Sequence, residues 1–416
     1  MISRQMAGTR TGRQPRRLVL ALILGALTGL GPFSIDAYLP ALPLLTEDLR
    51  TTPSMAQLTL TACLLGLALG QLVTGPVSDS HGRRRPLLLG LLIYGFASVM
   101  CVWTRSIGLF IVLRFFQGLA GSAGIVIARA IARDYYEGKE LTRFFALLML
   151  VNGVAPVLAP VLGGILLRFT SWHGVFIMLA LLSISLLLIV LSALPESLPP
   201  QRRVQGGLQA TIGALGSLAT NAGFMGYVLT QGFAYAAMFG YISGSSFVLQ
   251  EEYGVSPQVF SVIFAVNATG LILAGQAGAI ASGRWDERRV LVASLIIAVA
   301  GSLALLFAVL GHANLAIVLI SLFVAIAIAG AVGTTCTSLA LQNQGRVAGS
   351  ASAWLGVTGM LLGALVSPLV GLGFNRIAVS MAAVIVLCHL AAALAYWLLA
   401  ARGSGARVEK TLSQRA

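Results

Sequence analysis

The chain has 416 residues, of which 57% are hydrophobic and only 10% are charged. A soluble globular protein carries about 25% charged residues, and a chain of this size cannot enclose so much apolar surface in water, so a soluble protein is excluded. Basic residues outnumber acidic ones by 27 to 13, but they lie between apolar runs, which argues against nucleic-acid binding.

The chain begins with a basic tail, residues 1–17, which has no small-residue cleavage site before the next charge. The apolar run after it is too long for a signal-peptide core and is predicted to be retained as a span. Membrane helices need about 20 mostly apolar residues, whereas membrane strands alternate in polarity, and these runs do not alternate. The sequence predicts an all-α membrane protein with twelve transmembrane helices, at 18–44, 56–77, 87–104, 108–130, 144–167, 174–194, 222–248, 258–281, 289–310, 315–337, 347–370 and 378–400.

The basic residues between these runs predict the orientation of the chain. Of those outside the spans, 21 fall in the two tails and the loops on one side, whereas only Arg50, Arg105, Arg168 and Arg376 fall on the other. Short loops rich in lysine and arginine stay in the cytoplasm. Both termini are therefore expected to be cytoplasmic, which agrees with an even number of spans.

A break near the middle of the chain divides the spans into two sets of six. Residues 196–221, which start with several prolines and arginines, are predicted to form a central cytoplasmic loop. The N-terminal six-helix bundle is then 18–195 and the C-terminal one 222–400, and a cytoplasmic tail follows at 401–416.

The two sets of spans contain related stretches. Gly163 in the fifth span and Gly371 after the eleventh lie 208 residues apart, each within a glycine- and proline-rich stretch. This offset indicates a duplication. Two related six-helix bundles around a central cavity are typical of a secondary transporter, and the sequence contains no phosphate-binding loop for ATP.

Four stretches carry a more specific signal: GPFSIDAYLPALP at 31–43, GPVSDSHGRRR at 75–85, RFFQG at 114–118 and APVLAPVLGG at 155–164. In them the chain resembles the major facilitator superfamily (MFS) and, within it, drug:proton antiporters of the bicyclomycin/chloramphenicol-resistance (Bcr/CflA) type. The stretch at 31–43 is similar to the first-span signature of the Bcr/CflA type, and the stretch at 75–85 to the superfamily's motif in the loop between spans two and three. The stretch at 114–118 is similar to the superfamily's fourth-span motif, and the stretch at 155–164 to the fifth-span motif typical of antiporters. Ser80 departs from the pattern, because arginine commonly follows the loop aspartate.

The resemblance implies the MFS fold and proton-driven export of small amphipathic drugs or antibiotics across the bacterial inner (cytoplasmic) membrane by alternating access. The implied partners are a drug, protons and the lipid bilayer, with no cofactor, no metal and no nucleic acid, and the chain is expected to be a monomer. A facilitator or symporter of a small metabolite stays open as an alternative. An enzyme is disfavoured, because the spans offer only Asp36 and His389 as catalytic groups, and a seven-helix receptor does not have twelve spans.

Asp36 lies inside a long apolar run, whereas the other twelve acidic residues lie in loops, tails or span ends. A carboxylate at a helix centre costs about 2.5–3.5 kcal/mol on insertion scales, so such residues usually face a cavity and are functional. We expect Asp36 to carry protons, and the resemblance also places an acidic site here. The alternative is that Asp36 lies near the outer interface, with Pro40 and Pro43 marking the end of its helix.

Arg114 is a second charge within a span, about 9 Å from the outer end of the fourth span by helical rise and thus at a height similar to that of Asp36. The first and fourth spans are neighbours in the family that the chain resembles. The two charges are therefore expected to pair, which would lower the cost of burying each. Alternatively, Arg114 satisfies backbone carbonyls that Pro156 or Pro160 leave free.

The loop motif between the second and third spans is interpreted as a conformational switch. Its two glycines permit close turns, and the resemblance places Asp79 against the start of the eleventh span, near Arg346. Arg83 is expected to pair with Asp134, so that both latches hold the outward-facing state and break in the inward-facing one. Alternatively, the arginines only set the orientation. The residues assigned to the switch are Gly75, Asp79, Gly82, Arg83, Asp134 and Arg346.

The fifth span is interpreted as a hinge. Its glycines allow close packing or bending, and its prolines remove backbone donors, so a kink is expected. The resemblance implies a hinge that limits proton leak without drug, and tight helix packing alone is the alternative. The assigned residues are Gly153, Pro156, Pro160, Gly163 and Gly164.

Polar and aromatic side chains within the spans are the candidates for substrate contact, because aromatic rings with few polar groups suit partly apolar drugs. His389 is interpreted as a core histidine, and the four cysteines as small membrane-buried side chains without a disulfide or a metal. The candidates for substrate contact are Tyr38, Asn152, Gln231, Tyr235, Tyr241 and Asn267.

Overall fold

The computed structural model describes residues 17–203, 213, 216–342, 348–372 and 376–401, which form helices joined by short turns and loops and contain no strand. Short π-helical turns, Val248–Glu252 and Tyr396–Ala401, extend the seventh and twelfth spans. The α-helices run Arg17–Asp36, Leu42–Asp48, Pro53–His81, Arg84–Trp103, Ile107–Tyr135, Gly138–Leu166, Trp172–Ala193, Ala222–Phe247, Pro257–Ser282, Glu287–Leu310, Leu315–Leu341, Ala348–Val370 and Ile377–Ala395.

Twelve segments of the described chain are long and apolar enough to cross a membrane. The predicted fold class is thereby confirmed. Most segments are a few residues longer than the apolar runs, because polar residues at the ends continue the helices beyond the hydrocarbon. Both predicted tails, apart from Arg17 and Ala401, and part of the central loop lie outside the described residues, and the bundle boundaries stay predictions.

Several spans begin at side-chain caps that can be found in the sequence. Thr52, Ser256 and Asn314 each accept a hydrogen bond from the backbone N–H three residues on, at 3.3, 3.3 and 3.1 Å. Such caps satisfy amide groups that the first helical turn leaves without a partner. They define where the second, eighth and tenth spans begin.

The first span is interrupted. Its first helix ends at Asp36, a 3₁₀ turn covers Leu39–Ala41, and a second helix runs Leu42–Asp48. Pro40 and Pro43 occupy the first turns of these two pieces, where proline is tolerated. The helix resumes after these prolines and runs to Asp48, so they interrupt the span rather than end the helical segment, and the alternative that Asp36 lies near the outer interface stays open. Asp36 therefore lies at a helix break inside the span.

Glycines let equivalent pairs of spans pack closely in the two halves. A Cβ atom on Gly66 would lie 2.1 Å from the carbonyl oxygen of Phe115, between the second and fourth spans. A Cβ atom on Gly330 would lie 1.9 Å from the carbonyl oxygen of Leu271, between the tenth and eighth spans. Backbones approach this closely only where the side chain is absent. The matching contacts agree with a duplication.

The two halves contact each other at the end of the molecule where the first span ends, which is termed the closed end. Ser246 Oγ donates a hydrogen bond to the carbonyl of Leu39 at 2.6 Å. Gln258 Nε2 donates to the carbonyl of Gly164 at 3.1 Å. Two further bonds of this kind join Gln250 to Pro40 and Gln57 to Ser243.

Candidate functional site

A cavity of about 220 Å³ lies between the two halves, and Asp36 is part of its wall. The first, second, fourth and fifth spans line it from one half, and the seventh, eighth, tenth and eleventh from the other. Asp36, Tyr241 and Asn267 supply the polar side chains, and the remaining lining residues are apolar or aromatic. Pockets of this composition bind small ligands that are mostly apolar and carry a few polar groups.

Asp36 is buried at the helix break, with 5% of its surface exposed. Its Oδ1 atom has no hydrogen-bond partner among the described residues. The ion pairs found in the described chain involve Arg83 instead, so Asp36 has no cationic neighbour within pairing distance there. A buried carboxylate without an ion partner carries a large desolvation cost, and the role of Asp36 in carrying protons stays a prediction.

Arg114 is completely buried in the fourth span. Its Nη2 donates to the carbonyl of Ser34 at 2.6 Å, its Nη1 donates to Gln117, and the guanidinium lies 4.4 Å from the ring centroid of Tyr38. The expected pairing of Asp36 with Arg114 is therefore wrong for this conformation. The physical reason is that uncharged acceptors already bind both Nη atoms and an aromatic ring lies against the guanidinium, although its Nε has no partner among the described residues.

The alternative role for Arg114, satisfying carbonyls that Pro156 or Pro160 leave free, is also wrong. The carbonyl that it binds belongs to Ser34, in the last turn of the helix that ends at Asp36. The last turn of a helix leaves carbonyl groups without amide partners, and a positive charge is favourable there. Arg114 therefore stabilises the break at which Asp36 meets the cavity.

A buried polar network extends from Arg114 to neighbouring spans. Gln117 Nε2 donates to Ser98 Oγ at 2.7 Å, and the hydroxyl groups of Tyr94 and Ser34 lie 2.6 Å apart. The network connects the first, third and fourth spans. Sequence reasoning missed Gln117, although a glutamine three residues after an intramembrane arginine shares its helix face.

The seventh and eighth spans supply the opposite wall of the cavity. Asn267 Nδ2 donates to the hydroxyl of Tyr241 at 3.0 Å. The ring of Tyr241 stacks on Phe264, with centroids 5.4 Å apart. The structure thus brings Asn267 and Tyr241, two of the candidates for substrate contact, to the same cavity as Asp36.

The other candidates for substrate contact do not line this cavity. Tyr38 packs under the guanidinium of Arg114, and Gln231 accepts a hydrogen bond from Thr337 at 3.0 Å. Residue type suggested these positions, but it does not determine which face of a helix a residue occupies. The remaining two candidates, both half-buried, are Asn152 and Tyr235.

The glycines at the end of the fifth span pack against both halves. A Cβ atom on Gly163 would lie 1.8 Å from the carbonyl oxygen of Ala37 in the first span. One on Gly164 would lie 2.3 Å from Ser261 Oγ in the eighth span. Gly163 therefore packs within its own half, whereas Gly164 forms part of the contact between halves at the closed end.

The rest of the predicted hinge is less tightly packed. A Cβ atom on Gly153 would lie 3.5 Å from Ile272 Cδ1, which is an ordinary contact. Pro156 lines the cavity, and the helix continues from residue 138 to 166 through both Pro156 and Pro160. The role of these residues as a hinge stays a prediction.

Replacing Gly164 by alanine is expected to open the closed end. The added methyl group would lie 2.3 Å from Ser261 Oγ and 3.3 Å from the carbonyl oxygen of Pro257, so the fifth and eighth spans must move apart. In a chain lacking the native cysteines, labelling of Gln250→Cys by a water-soluble thiol reagent should become several-fold faster. Gly153→Ala, which has room for its methyl group, should leave the rate unchanged, and equal rates for both variants would contradict the prediction.

The loop between the second and third spans forms an ionic cluster with the end of the fourth. Arg83 Nε donates to Asp134 Oδ2 at 3.0 Å, which is the expected contact, and Arg83 Nη1 contacts Asp79. Burial opposes the charge of Arg83, but the two carboxylates outweigh this effect and raise its pKa. Asp79 thus bonds within its own half, and Arg346 lies outside the described residues. A Cβ atom on Gly75 would lie 3.9 Å from its nearest neighbour, Val126 Cγ1, which is an ordinary contact.

The start of the central loop completes this cluster. Glu196 Oε1 accepts from the backbone N–H of Arg83 at 2.8 Å, and Ser197 Oγ donates to Asp134 Oδ2 at 2.7 Å. Gly82 has φ +89°, and a Cβ atom there would lie 2.5 Å from Glu196 Oε2, so glycine is required. The five charged and polar residues of this cluster, termed the loop cluster, are Asp79, Arg83, Asp134, Glu196 and Ser197. Glu196 and Ser197 had no predicted role.

Glu196→Gln is expected to lower the stability of the N-terminal half by about 1–2 kcal/mol, because charge-assisted bonds to backbone amides become neutral ones. The melting temperature of the purified protein in detergent should fall by several degrees. The exposed Glu137 offers a matched control, and Glu137→Gln should melt like the wild type. Identical melting of the two variants would contradict this role of Glu196.

Comparisons with known proteins agree with the geometry of a transporter. The family described as Major Facilitator Superfamily matches residues 21–368. An uncharacterised MFS-type transporter of Bacillus subtilis, YdgK, is 42% identical over 393 residues, which cover 93% of this chain and 96% of that protein. A bicyclomycin resistance protein homolog of Haemophilus influenzae is 27% identical over 395 residues, 95% of this chain and 99% of the relative.

Solved structures share the fold at low sequence identity. A bacterial homolog of the human lysosomal transporter Spinster, in an inward-facing and unoccupied conformation, superposes with a TM-score of 0.74. The two chains are 18% identical, and the match covers 94% of this chain and 98% of the other. The likeness extends over nearly the whole of both chains.

Proposed function

The chain belongs to the major facilitator superfamily, as its motifs predict, and we propose that it exports small amphipathic drugs in exchange for protons. It is a multi-pass membrane transporter with relatives of the Bcr/CflA type, and not an enzyme. Coupling to protons is the part of this proposal that goes beyond membership of the family. The observation that carries it is the buried, unpaired carboxylate of Asp36 on the wall of a cavity shared by both halves.

The charge distribution supports an inward-facing assignment for the state described. Most basic residues of the described loops, among them Arg83, Arg133 and Arg288, lie at the end opposite the closed end, and loops rich in basic residues stay in the cytoplasm. We therefore assign the closed end to the outer face of the bacterial inner membrane, with both termini in the cytoplasm. In this assignment the contacts of Leu39 and Gly164 with the other half close the cavity toward the outside.

Proton exchange at Asp36 provides the coupling in this proposal. In the state closed toward the outside, the carboxyl group releases its proton to the cytoplasm and a drug molecule enters the cavity. After the halves rock to the opposite state, drug leaves, and Asp36 takes a proton from the outside. Drug and proton thus use the same cavity in turn, and the proton gradient drives export.

Arg114 is assigned the role of linking the charge on Asp36 to the shape of the first span. Its guanidinium holds the carbonyl of Ser34, two residues before Asp36. An ionised Asp36 would attract the guanidinium away from this neutral acceptor, whereas a protonated Asp36 would not. Loss and uptake of the proton therefore shift the helix break between two arrangements.

The loop cluster is assigned to the stability of the N-terminal half. Arg83 and Asp134 belong to the N-terminal half and Glu196 follows it directly at the start of the central loop, so their contacts need not break when the halves rock. The proposal differs here from the prediction that the Arg83–Asp134 pair breaks in the inward-facing state, because the pair is intact in the state that we assign as inward-facing. A contact of Asp79 with the start of the eleventh span in the opposite state stays a prediction.

The walls of the cavity favour partly apolar substrates. Tyr241 and Phe264 offer a stacked aromatic surface, and Met238 and Met360 are flexible side chains that adapt to different shapes. Asn267 and the carboxyl group of Asp36 can bond the polar end of an amphipathic molecule. Because one relative is named for bicyclomycin resistance, bicyclomycin and chloramphenicol are the first compounds to test.

Drug movement in everted membrane vesicles tests the direction and the coupling together. In vesicles whose lumen is acidified by respiration, labelled chloramphenicol or bicyclomycin should accumulate inside, and nigericin, which collapses the pH gradient, should abolish the accumulation. Exclusion of compound from the lumen would indicate a symporter, and equilibration that does not depend on the gradient would indicate a facilitator. Either result would overturn the proposal.

A further inference from the structure

A second cleft lies on the outside of the C-terminal half, away from the central cavity. Its volume is about 680 Å³, within the range of about 300–1,000 Å³ typical of ligand sites. Ala277 and Gly278 of the eighth span form one wall, Ala293 of the ninth forms the other, and Ala331 of the tenth is part of the floor. The small side chains leave the space between the helices unfilled.

The surface around the cleft is apolar along the helices. Ile280 of the eighth span and Ile296 and Ile297 of the ninth are exposed by 60%, 64% and 45%. Large apolar side chains on the outside of a membrane-spanning helix face lipid. The cleft is therefore open to the hydrocarbon chains of the bilayer.

The mouth of the cleft is positively charged. Arg284 and Arg289 line it, and neither guanidinium has a hydrogen bond or an ion pair within the described part of the chain. Asp286 also lies there, but its Oδ1 accepts from the backbone N–H groups of Arg288 and Arg289 at 3.0 and 3.1 Å. Because this carboxylate caps the ninth span, the two guanidinium groups are left to bind an anion.

The length of the cleft corresponds to one leaflet. From Asp286 to Ile297 it follows the ninth span for about 16 Å at 1.5 Å per residue, which is about half of a hydrocarbon core of about 30 Å. Trp285, at the mouth, is 68% exposed, and tryptophan is enriched at the level of the lipid headgroups.

We propose that this cleft binds one anionic phospholipid from the leaflet next to the basic loops. The phosphate lies between Arg284 and Arg289, and an acyl chain fills the groove between Ala277 and Ala293. Arginine binds phosphate through two donors at once, and basic pockets at helix ends bind anionic headgroups. A second copy of the chain is a poorer occupant, because a two-fold contact would bring equal charges together.

Native mass spectrometry of the full chain in detergent tests the lipid site. Phosphatidylglycerol should be retained and phosphatidylcholine should not. The double variant Arg284→Gln/Arg289→Gln should bind phosphatidylglycerol about 30-fold more weakly, since each basic residue contributes about fivefold. Arg288→Gln is the matched control, because Arg288 lies near Tyr396 rather than in the cleft, and it should change binding by less than about twofold.

A second variant tests the acyl-chain groove. Ala277→Leu fills the groove from an exposed position and should reduce retention of phosphatidylglycerol without lowering the melting temperature of lipid-free protein. Equal retention of the two lipids, equal loss in Arg288→Gln and the double variant, or unchanged binding in Ala277→Leu would each overturn the proposal. A concentration-dependent dimer that Ala277→Leu abolishes would assign the cleft to a second copy and would also overturn it.

Discussion

Asp36→Asn is expected to abolish proton-driven export and to leave the fold intact. Asparagine has nearly the same volume but neither takes up nor releases a proton, so the proposed exchange cannot occur. Drug accumulation in energised everted vesicles should fall to the level of vesicles without the protein. The melting temperature should not fall, because a neutral amide removes the desolvation cost of a buried carboxylate that has no ion partner.

Asp48→Asn provides the matched control for this result. Asp48 lies at the end of the same span, where its Oδ2 accepts from the indole N–H of Trp172 at 2.9 Å, outside the central cavity. This variant should export at close to the wild-type rate, with a stability loss of about 1 kcal/mol. Full export by Asp36→Asn, or equal loss in both variants, would contradict the role assigned to Asp36.

Arg114→Met is expected to remove export and to destabilise the N-terminal half strongly. The substitution leaves the carbonyl of Ser34 and the side-chain oxygen of Gln117 buried without a donor, at about 1–3 kcal/mol each, and it removes the cation from the ring of Tyr38. Thermal unfolding in detergent should show a large decrease in melting temperature. Arg114→Lys keeps the charge but not the two-pronged geometry, so it should fold better than Arg114→Met and export about tenfold more slowly than the wild type.

Arg105→Met is the corresponding control. Arg105 is exposed in the loop before the fourth span, so its replacement should change neither the melting temperature nor export. If Arg114→Met melts like the wild type, the buried network does not stabilise the helix break. If Arg114→Lys exports at the wild-type rate, the geometry of the guanidinium is not needed for coupling.

The number and order of the spans could be predicted because the bilayer imposes a local requirement. Each span needs about 20 apolar residues in sequence, and hydropathy along the chain shows them directly. Pro40 and Pro43 indicated a helix end in the sequence, but they did not show that the first span resumes as a second helix, Leu42–Asp48. A proline shows where a helix is disturbed, but whether the chain resumes as a helix depends on packing partners such as Arg114.

The face that each side chain presents could not be predicted from the sequence. In membrane helices both the lipid-facing and the protein-facing sides are apolar, so periodicity does not separate them. Tyr38 and Asn267 therefore looked equivalent, yet Tyr38 packs against Arg114 and Asn267 lines the cavity. Glu196 was missed for a related reason, since its partners lie in a loop more than a hundred residues earlier in the chain.

Proton release on drug binding tests the central claim most directly. Purified protein in a weakly buffered detergent solution is titrated with the compound that the vesicle assay shows to be exported, and an indicator dye follows the pH. The wild type should release about one proton per bound molecule at a pH where Asp36 is protonated before binding, whereas Asp36→Asn should bind the compound and release none. Equal release from both proteins, or binding to the wild type without any release, would contradict the account.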